Sequence, residues 1–155
     1  MIFSYRLERQ AESFQGEIFL DRDEILHIID SVYTARKAGD KEAVAAYWAP
    51  DAIFRLAGEA SLMSAVVPAG TGGAKDAVDA LIDRFQFHEL ERLSAVVEGN
   101  MAAIHWRVTF STAGCAPLTT EISDLWTIGE DGKAVSLLQF TDTALLWSQL
   151  DRARE

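Results

Sequence analysis

The carboxylate best placed for chemistry in this 155-residue chain is Asp124, within Glu121-Ile122-Ser123-Asp124-Leu125-Trp126-Thr127-Ile128. Read as a strand, that stretch puts residues two apart on one face, so Ile122 and Trp126 flank Asp124 on whichever face is buried. A carboxylate in apolar surroundings is a candidate acid, base or hydrogen-bond donor with a raised pKa. No Lys or Arg falls nearby on that strand face. Desolvation should therefore dominate and lift the group by ~2 pH units or more above the usual value near 3.9. The alternative is a structural carboxylate satisfied by a neighbouring Tyr, Trp or backbone group, because a buried charge must be paired or neutralised.

The other titratable groups are weaker candidates. His88 follows Phe85-Gln86-Phe87 and could reach a pocket rim as a proton carrier, or stand solvated at a strand end. His105 and Arg107 look catalytic when read alone. Strict alternation, however, sets Ile104, Trp106, Val108 and Phe110 on one face and His105, Arg107 and Thr109 on the other, which assigns the polar set to an outer surface or interface. Glu121 shares that outer face and can pair with Arg107 across strands. His27 reads as a surface residue, and Tyr33 and Tyr47 as core. Cys115 lies at a turn without a Cys-His-Asp arrangement. Three scattered histidines and one cysteine offer no metal-ligand spacing, and Gly70-Thr71-Gly72-Gly73-Ala74-Lys75 lacks the spacing of a phosphate loop. No metal and no cofactor is expected.

These residues need elements to hold them. Asp21 or Asp23 can cap a helix running to about Lys37, with Ile25, Ile29, Val32, Tyr33 and Arg36 at helical spacing and Gly39 ending it. Asp40 caps a short second helix containing Val44, Tyr47 and Trp48, which Pro50-Asp51 stops. Ala52–Leu56 reads as a short strand. Gly58–Gly73 reads as an apolar loop, and its Leu62, Met63, Val66 and Val67 suggest a lid over something. A third helix spans Ala74–Phe85. Strands follow over His88–Glu98, Met101–Ser111, Leu118–Ile128 and Lys133–Phe140, joined by short turns as an antiparallel meander. A capped helix start follows at Thr141-Asp142-Thr143. Residues 1–20 read as an N-terminal arm, and residues 21–155 as one domain.

The Ala38-Gly39-Asp40 turn, the Pro50-Asp51-Ala52 start of a strand, the Asp131-Gly132-Lys133 hairpin and the Phe140-Thr141-Asp142-Thr143-Ala144-Leu145 ending form a recognisable set. On them, residues 23–150 resemble a SnoaL-like member of the nuclear transport factor 2-like superfamily, which includes ketosteroid isomerases, polyketide cyclases, limonene epoxide hydrolases and scytalone dehydratases. The resemblance implies an α+β cone: a curved, antiparallel-rich mixed sheet wrapped on three N-terminal helices, with an apolar pocket inside and a homodimer across the outer sheet face. It implies a pocket drawn from Val32, Trp48, Phe54, Leu56, Phe85, Ile104, Trp106, Val108, Ile122 and Trp126. Asp124 matches the oxyanion-hole aspartate of the ketosteroid isomerases, with Trp126 as the aromatic two positions on. The tyrosine position of that family is Val32 here, with Tyr33 pointing about 100° away on a helix, and the catalytic-base position is Leu56. Steroid isomerisation by that mechanism is therefore not expected.

Composition sets outer limits. Apolar residues at 49% and charged residues at 25% are the balance of an ordinary globular domain. A net charge of −10 without a basic patch argues against nucleic acid and anionic membranes as partners. The N-terminus is charged too early for a signal peptide, and no apolar run approaches a membrane span, so a cytoplasmic protein is expected. Two functions stand open. One is cofactor-free proton-transfer chemistry (isomerisation, cyclisation, dehydration or hydrolysis) on a small apolar or weakly polar organic ligand. The other is non-catalytic binding or sensing of such a ligand.

Overall fold

Asp21 opens the first helix, α1 (Arg22–Ala38), with a capping box: its side chain accepts from the Glu24 amide, and Glu24 reaches back to the Asp21 amide. Gly39 closes α1 in the left-handed conformation at φ 70°, which a side chain rarely adopts. Between the caps, Ile25, Leu26, Ile29, Val32, Tyr33 and Arg36 are buried, so a single stripe faces the core. The computed structural model describes residues 20–58, 60–66 and 72–153. The N-terminal arm anticipated over residues 1–20 lies outside them, apart from Leu20.

Asp40 caps α2 (Lys41–Ala45) by accepting from the Ala43 amide. The expected second helix is shorter than its sequence suggests. It ends at Ala45, and Trp48 already belongs to β1 (Trp48–Leu56). Pro50 sits within that strand instead of ahead of it. The strand tolerates a proline because it is an edge, and the register with its neighbour shifts between Trp48 and Ile53. The Gly58–Gly73 segment is not simply a loop: Ala60–Val66 forms helix α3, and Leu62 and Val66 are buried in the core. Four helices therefore precede the meander where three were expected. The rest of the anticipated lid, Glu59 and residues 67–71, lies outside the described residues.

Helix α4 (Gly73–Arg84) leads into β2 (Gln86–Glu98), β3 (Met101–Ser111), β4 (Leu118–Ile128) and β5 (Ala134–Phe140). Asp142 then caps α5 (Thr143–Arg152) through the Leu145 amide. The sheet runs in the order β1-β5-β4-β3-β2. The last four strands pair antiparallel as consecutive hairpins, and β1 adds parallel to β5. The result is an α+β domain with a curved, unclosed mixed sheet. Ala102, Ile104, Trp106, Val108 and Phe110 of β3, with Ile122, Asp124, Trp126 and Ile128 of β4, form one buried face. This inner face meets the helices in a single core that includes Ile25, Ile29, Val44, Leu146 and Leu150. Among the described residues, no helix is long and apolar enough to cross a membrane.

Candidate functional site

The inner sheet face carries one carboxylate. Asp124 is fully buried, with Ile104 of β3 opposite it on one side and Gln139 of β5 on the other. Its Oδ2 accepts from the Tyr33 hydroxyl of α1, from Trp106 Nε1 at 3.0 Å and from Trp126 Nε1 at 3.3 Å. Its Oδ1 accepts from Gln139 Nε2 at 3.0 Å, and the same amide lies 3.2 Å from the Tyr33 hydroxyl oxygen. The donors are all neutral. Burial therefore sets the sign: it pushes the Asp124 carboxyl up to about 6, and the hydrogen bonds from Tyr33, Gln139, Trp126 and Trp106 pull against that rise. The Tyr33 phenol is held well above its ordinary value of 10, first by burial and then by the negative charge and hydrogen bond of Asp124.

Tyr33 and Gln139 separate this carboxylate from a cavity that opens to solvent. The cavity wall takes Val32 from α1, Trp48, Phe54 and Leu56 from β1, and Phe85 at the end of α4. The sheet contributes Val108, Ile122 and Trp126. Ile104 and Trp106, anticipated as pocket residues, do not line it. They are buried on the same sheet face, and the Trp106 indole is turned to Asp124. Asp124 itself does not line the cavity, so any chemical role of its carboxyl runs through Tyr33 or Gln139.

Arg36, one helical turn beyond Tyr33, is the charged element of the wall, which also takes in Thr120 and Thr141. It is buried, and its Nη2 donates to the Phe85 carbonyl at 2.6 Å and the Leu81 carbonyl at 3.1 Å. Its guanidinium carbon lies 4.1 Å from the centre of the Phe87 ring. Loss of hydration lowers its pKa from the ordinary 12.5 to about 10, with the Tyr33 phenol acting slightly in the opposite direction. The guanidinium remains charged at neutral pH.

The remaining candidates lie away from the cavity. His88 sits where the β2–β3 register shifts and bonds the Ser111 hydroxyl through Nε2 at 2.7 Å. His105, Arg107 and Glu121 stand on the outer sheet face. Glu121 meets His105 at 2.9 Å and Arg107 at 3.2 Å, and Arg107 also reaches Glu91 at 3.0 Å. The bonds from His105 and Arg107 hold the Glu121 carboxyl below its usual range. Among the described residues, no cluster of His, Cys, Asp or Glu is arranged to hold a metal ion.

Sequence reasoning missed the site roles of Tyr33, Arg36 and Gln139. Arg36 left a trace, as a cation on the buried stripe of α1. Gln139 shares a strand face with Leu137, an amide on an otherwise apolar side. On the sequence alone Tyr33 reads as a core residue pointing about 100° away from Val32 on the helix. In the structure both residues line the cavity, and Tyr33 supplies the hydroxyl at Asp124.

The chain matches the family model of the SnoaL-like domain over residues 29–137. No curated protein matches it. Its fold is similar to that of an NTF2-like protein of unknown function from Burkholderia pseudomallei, at 19% identity and a TM-score of 0.65, covering 82% of this chain and 97% of that one. It is also similar to an LEH-like epoxide hydrolase of M. tuberculosis, at 13% identity and a TM-score of 0.62, covering 85% and 92%. A third similar structure is TerC co-crystallised with polyporic acid, at 13% identity and a TM-score of 0.65, covering 83% and 98%. Likeness at these identities is likeness of fold.

Proposed function

Because the chain belongs to the SnoaL-like domain family, we propose that it binds a small, largely apolar organic ligand carrying a polar oxygen. The observation behind this is the cavity wall: mostly aromatic and aliphatic side chains, interrupted by Arg36, Thr120, Thr141 and the Tyr33–Gln139 pair. Apolar walls supply binding energy, and a few fixed polar groups orient the ligand. A neighbour of the same fold, TerC, was crystallised with a small organic acid, polyporic acid, which supports an organic ligand here. The test is calorimetric titration with 2-naphthamide, a neutral two-ring carbonyl compound. Saturable binding at one site, lost when Val108→Trp fills the cavity, is expected. Absence of saturable binding, or binding unchanged in Val108→Trp, would refute it.

A second reading, cofactor-free proton transfer, has its own support in the pairing of Asp124 with Tyr33. When Asp124 is protonated it no longer needs the Tyr33 proton, and it can donate to the Tyr33 oxygen. Tyr33 can then turn its proton toward a ligand carbonyl and stabilise the oxyanion of an enol as it forms, while solvent water at the open mouth of the cavity takes up the carbon-bound proton, because no carboxylate, Lys or His lines the wall among the described residues. Turnover by this route rises as pH falls through about 6, and Asp124→Asn lowers it by roughly 100-fold or more.

We also propose that the outer sheet face pairs with a second copy of the chain. Val96, Ala103, Leu125 and Leu138 face one another across four strands, and Val96 and Leu125 are exposed. Sedimentation at micromolar concentration should give twice the 17.1 kDa chain mass, and Leu125→Lys should shift it to the monomer. A monomer mass for the parent protein refutes the pairing.

A further inference from the structure

The proposed ligand site contains a charge that the apolar-pocket reading does not use. Arg36 is buried, and it is the one ionised side chain among the described residues of the cavity wall; no Asp, Glu, Lys or His joins it there. Among the described residues it has no carboxylate partner. Its structural contacts are the Leu81 and Phe85 carbonyls and the Phe87 ring. These fix the guanidinium in place and supply partial negative charge. None supplies a full counter-charge, and a buried ion without one is costly. Both carbonyls bond the same nitrogen, Nη2. A guanidinium has five N–H donors, so Nε and Nη1 hold three with no hydrogen-bond partner among the described residues.

One further observation points the same way, and one opposes it. Trp48, also in the wall, has its indole Nε1 buried and without a partner among the described residues. The wall thus leaves a second donor without an acceptor among the described residues, and a ligand group that accepts hydrogen bonds would suit it. The chain's net charge of −10 opposes an anion at long range, and Arg36 offsets this locally inside the cavity, where charge-assisted bonds are strongest.

We infer that the ligand of this cavity carries a carboxylate on its apolar ring or chain, and that Arg36 binds that carboxylate. This rests on the cavity being the ligand site. The Tyr33 oxygen, about one helical turn from Arg36 along α1, can then accept from a hydroxyl of the same molecule, because the Tyr33 proton and the Gln139 amide are already bonded to Asp124 and Tyr33. The ligand class narrows from weakly polar compounds to organic acids with an apolar body.

The experiment compares 2-naphthoate with 2-naphthamide at pH 7.5 by calorimetry. The two share one frame and differ in charge. The parent protein should bind the naphthoate on the order of ten-fold tighter or more, the range of a charged hydrogen bond. Arg36→Gln should bring the two affinities within about three-fold of each other by weakening the naphthoate. Arg36→Lys, which keeps the charge, should retain a preference for the acid. Should Arg36→Gln fail to fold, nitrogen-15 NMR of the Arg36 guanidinium in the parent protein gives the answer: its resonances should shift with naphthoate and not with naphthamide. Binding of the amide with no preference for the acid overturns this inference and leaves the ligand site standing. An acid preference that survives Arg36→Gln, or an Arg36 signal unmoved at saturating naphthoate, overturns it as well. If neither compound binds, the ligand site fails and the inference fails with it.

Discussion

Replacing Asp124 with Asn isolates the cost of a buried charge. In the folded chain the Asp124 carboxyl titrates near 6, against an ordinary value of 3.8. At about 1.36 kcal/mol per pH unit, ionising it in the fold costs about 3 kcal/mol more than ionising it in the unfolded chain. The folded state holds the proton more tightly, so this stabilising contribution is complete below pH 4. It declines between pH 4 and pH 6 and is gone above. Asn carries no charge at any pH and fits the same donors. Its carbonyl can accept from Tyr33, Trp106 and Trp126, and its amide can donate to Gln139 once that side chain turns its oxygen inward. The stability difference between variant and parent should therefore change by about 2.5 kcal/mol between pH 4 and pH 8 in favour of Asn. Urea unfolding followed by circular dichroism at half-unit pH steps measures this, and titrations elsewhere in the protein cancel in the difference. A difference that stays flat across the range, or one that moves in favour of Asp as pH rises, would show that the four hydrogen bonds outweigh desolvation.

Three other substitutions probe the framework. Tyr33→Phe removes a donor that lowers the Asp124 pKa, so a carbon-13 NMR titration of the carboxyl should move above about 6, and stability at pH 7 should fall by about 1.5–3 kcal/mol; an unmoved midpoint would mean the bond is not formed. Gly39→Ala forces a side chain into φ 70° in open space, so the cost is conformational only, about 1 kcal/mol in thermal or urea unfolding. Leu62→Ala should cost about 2–5 kcal/mol if α3 is part of the core, whereas a loosely held flap would lose a few tenths. All three are read from the same unfolding curves, with the NMR titration added for Tyr33.

What could be read from the sequence was local. The alternation of Ile104, Trp106, Val108 and Phe110 fixes which side of β3 is buried, because strand side chains alternate whatever surrounds them. The Asp21, Asp40 and Asp142 caps and the αL glycine at position 39 mark helix ends by hydrogen bonds that span three or four residues. The seclusion of Asp124 followed from its neighbours two positions away. Tertiary packing decided the rest. Helix α3 lies between glycine-rich flanks, and its two buried residues find their partners only in the assembled core. A proline inside β1 is acceptable only because that strand is an edge, which local sequence does not show. The periodicity of α1 gives the angle between Val32 and Tyr33 but not the rotation of the helix against the sheet. That rotation puts both residues at the cavity and brings the Tyr33 hydroxyl to a carboxylate 91 residues away. Likewise Gln139 and Arg36 gain their roles from partners on other elements. Asp124 thus titrates near 6 because of the cross-strand and helix-to-sheet contacts that close around it, and its carboxyl is set behind the cavity wall by the same contacts.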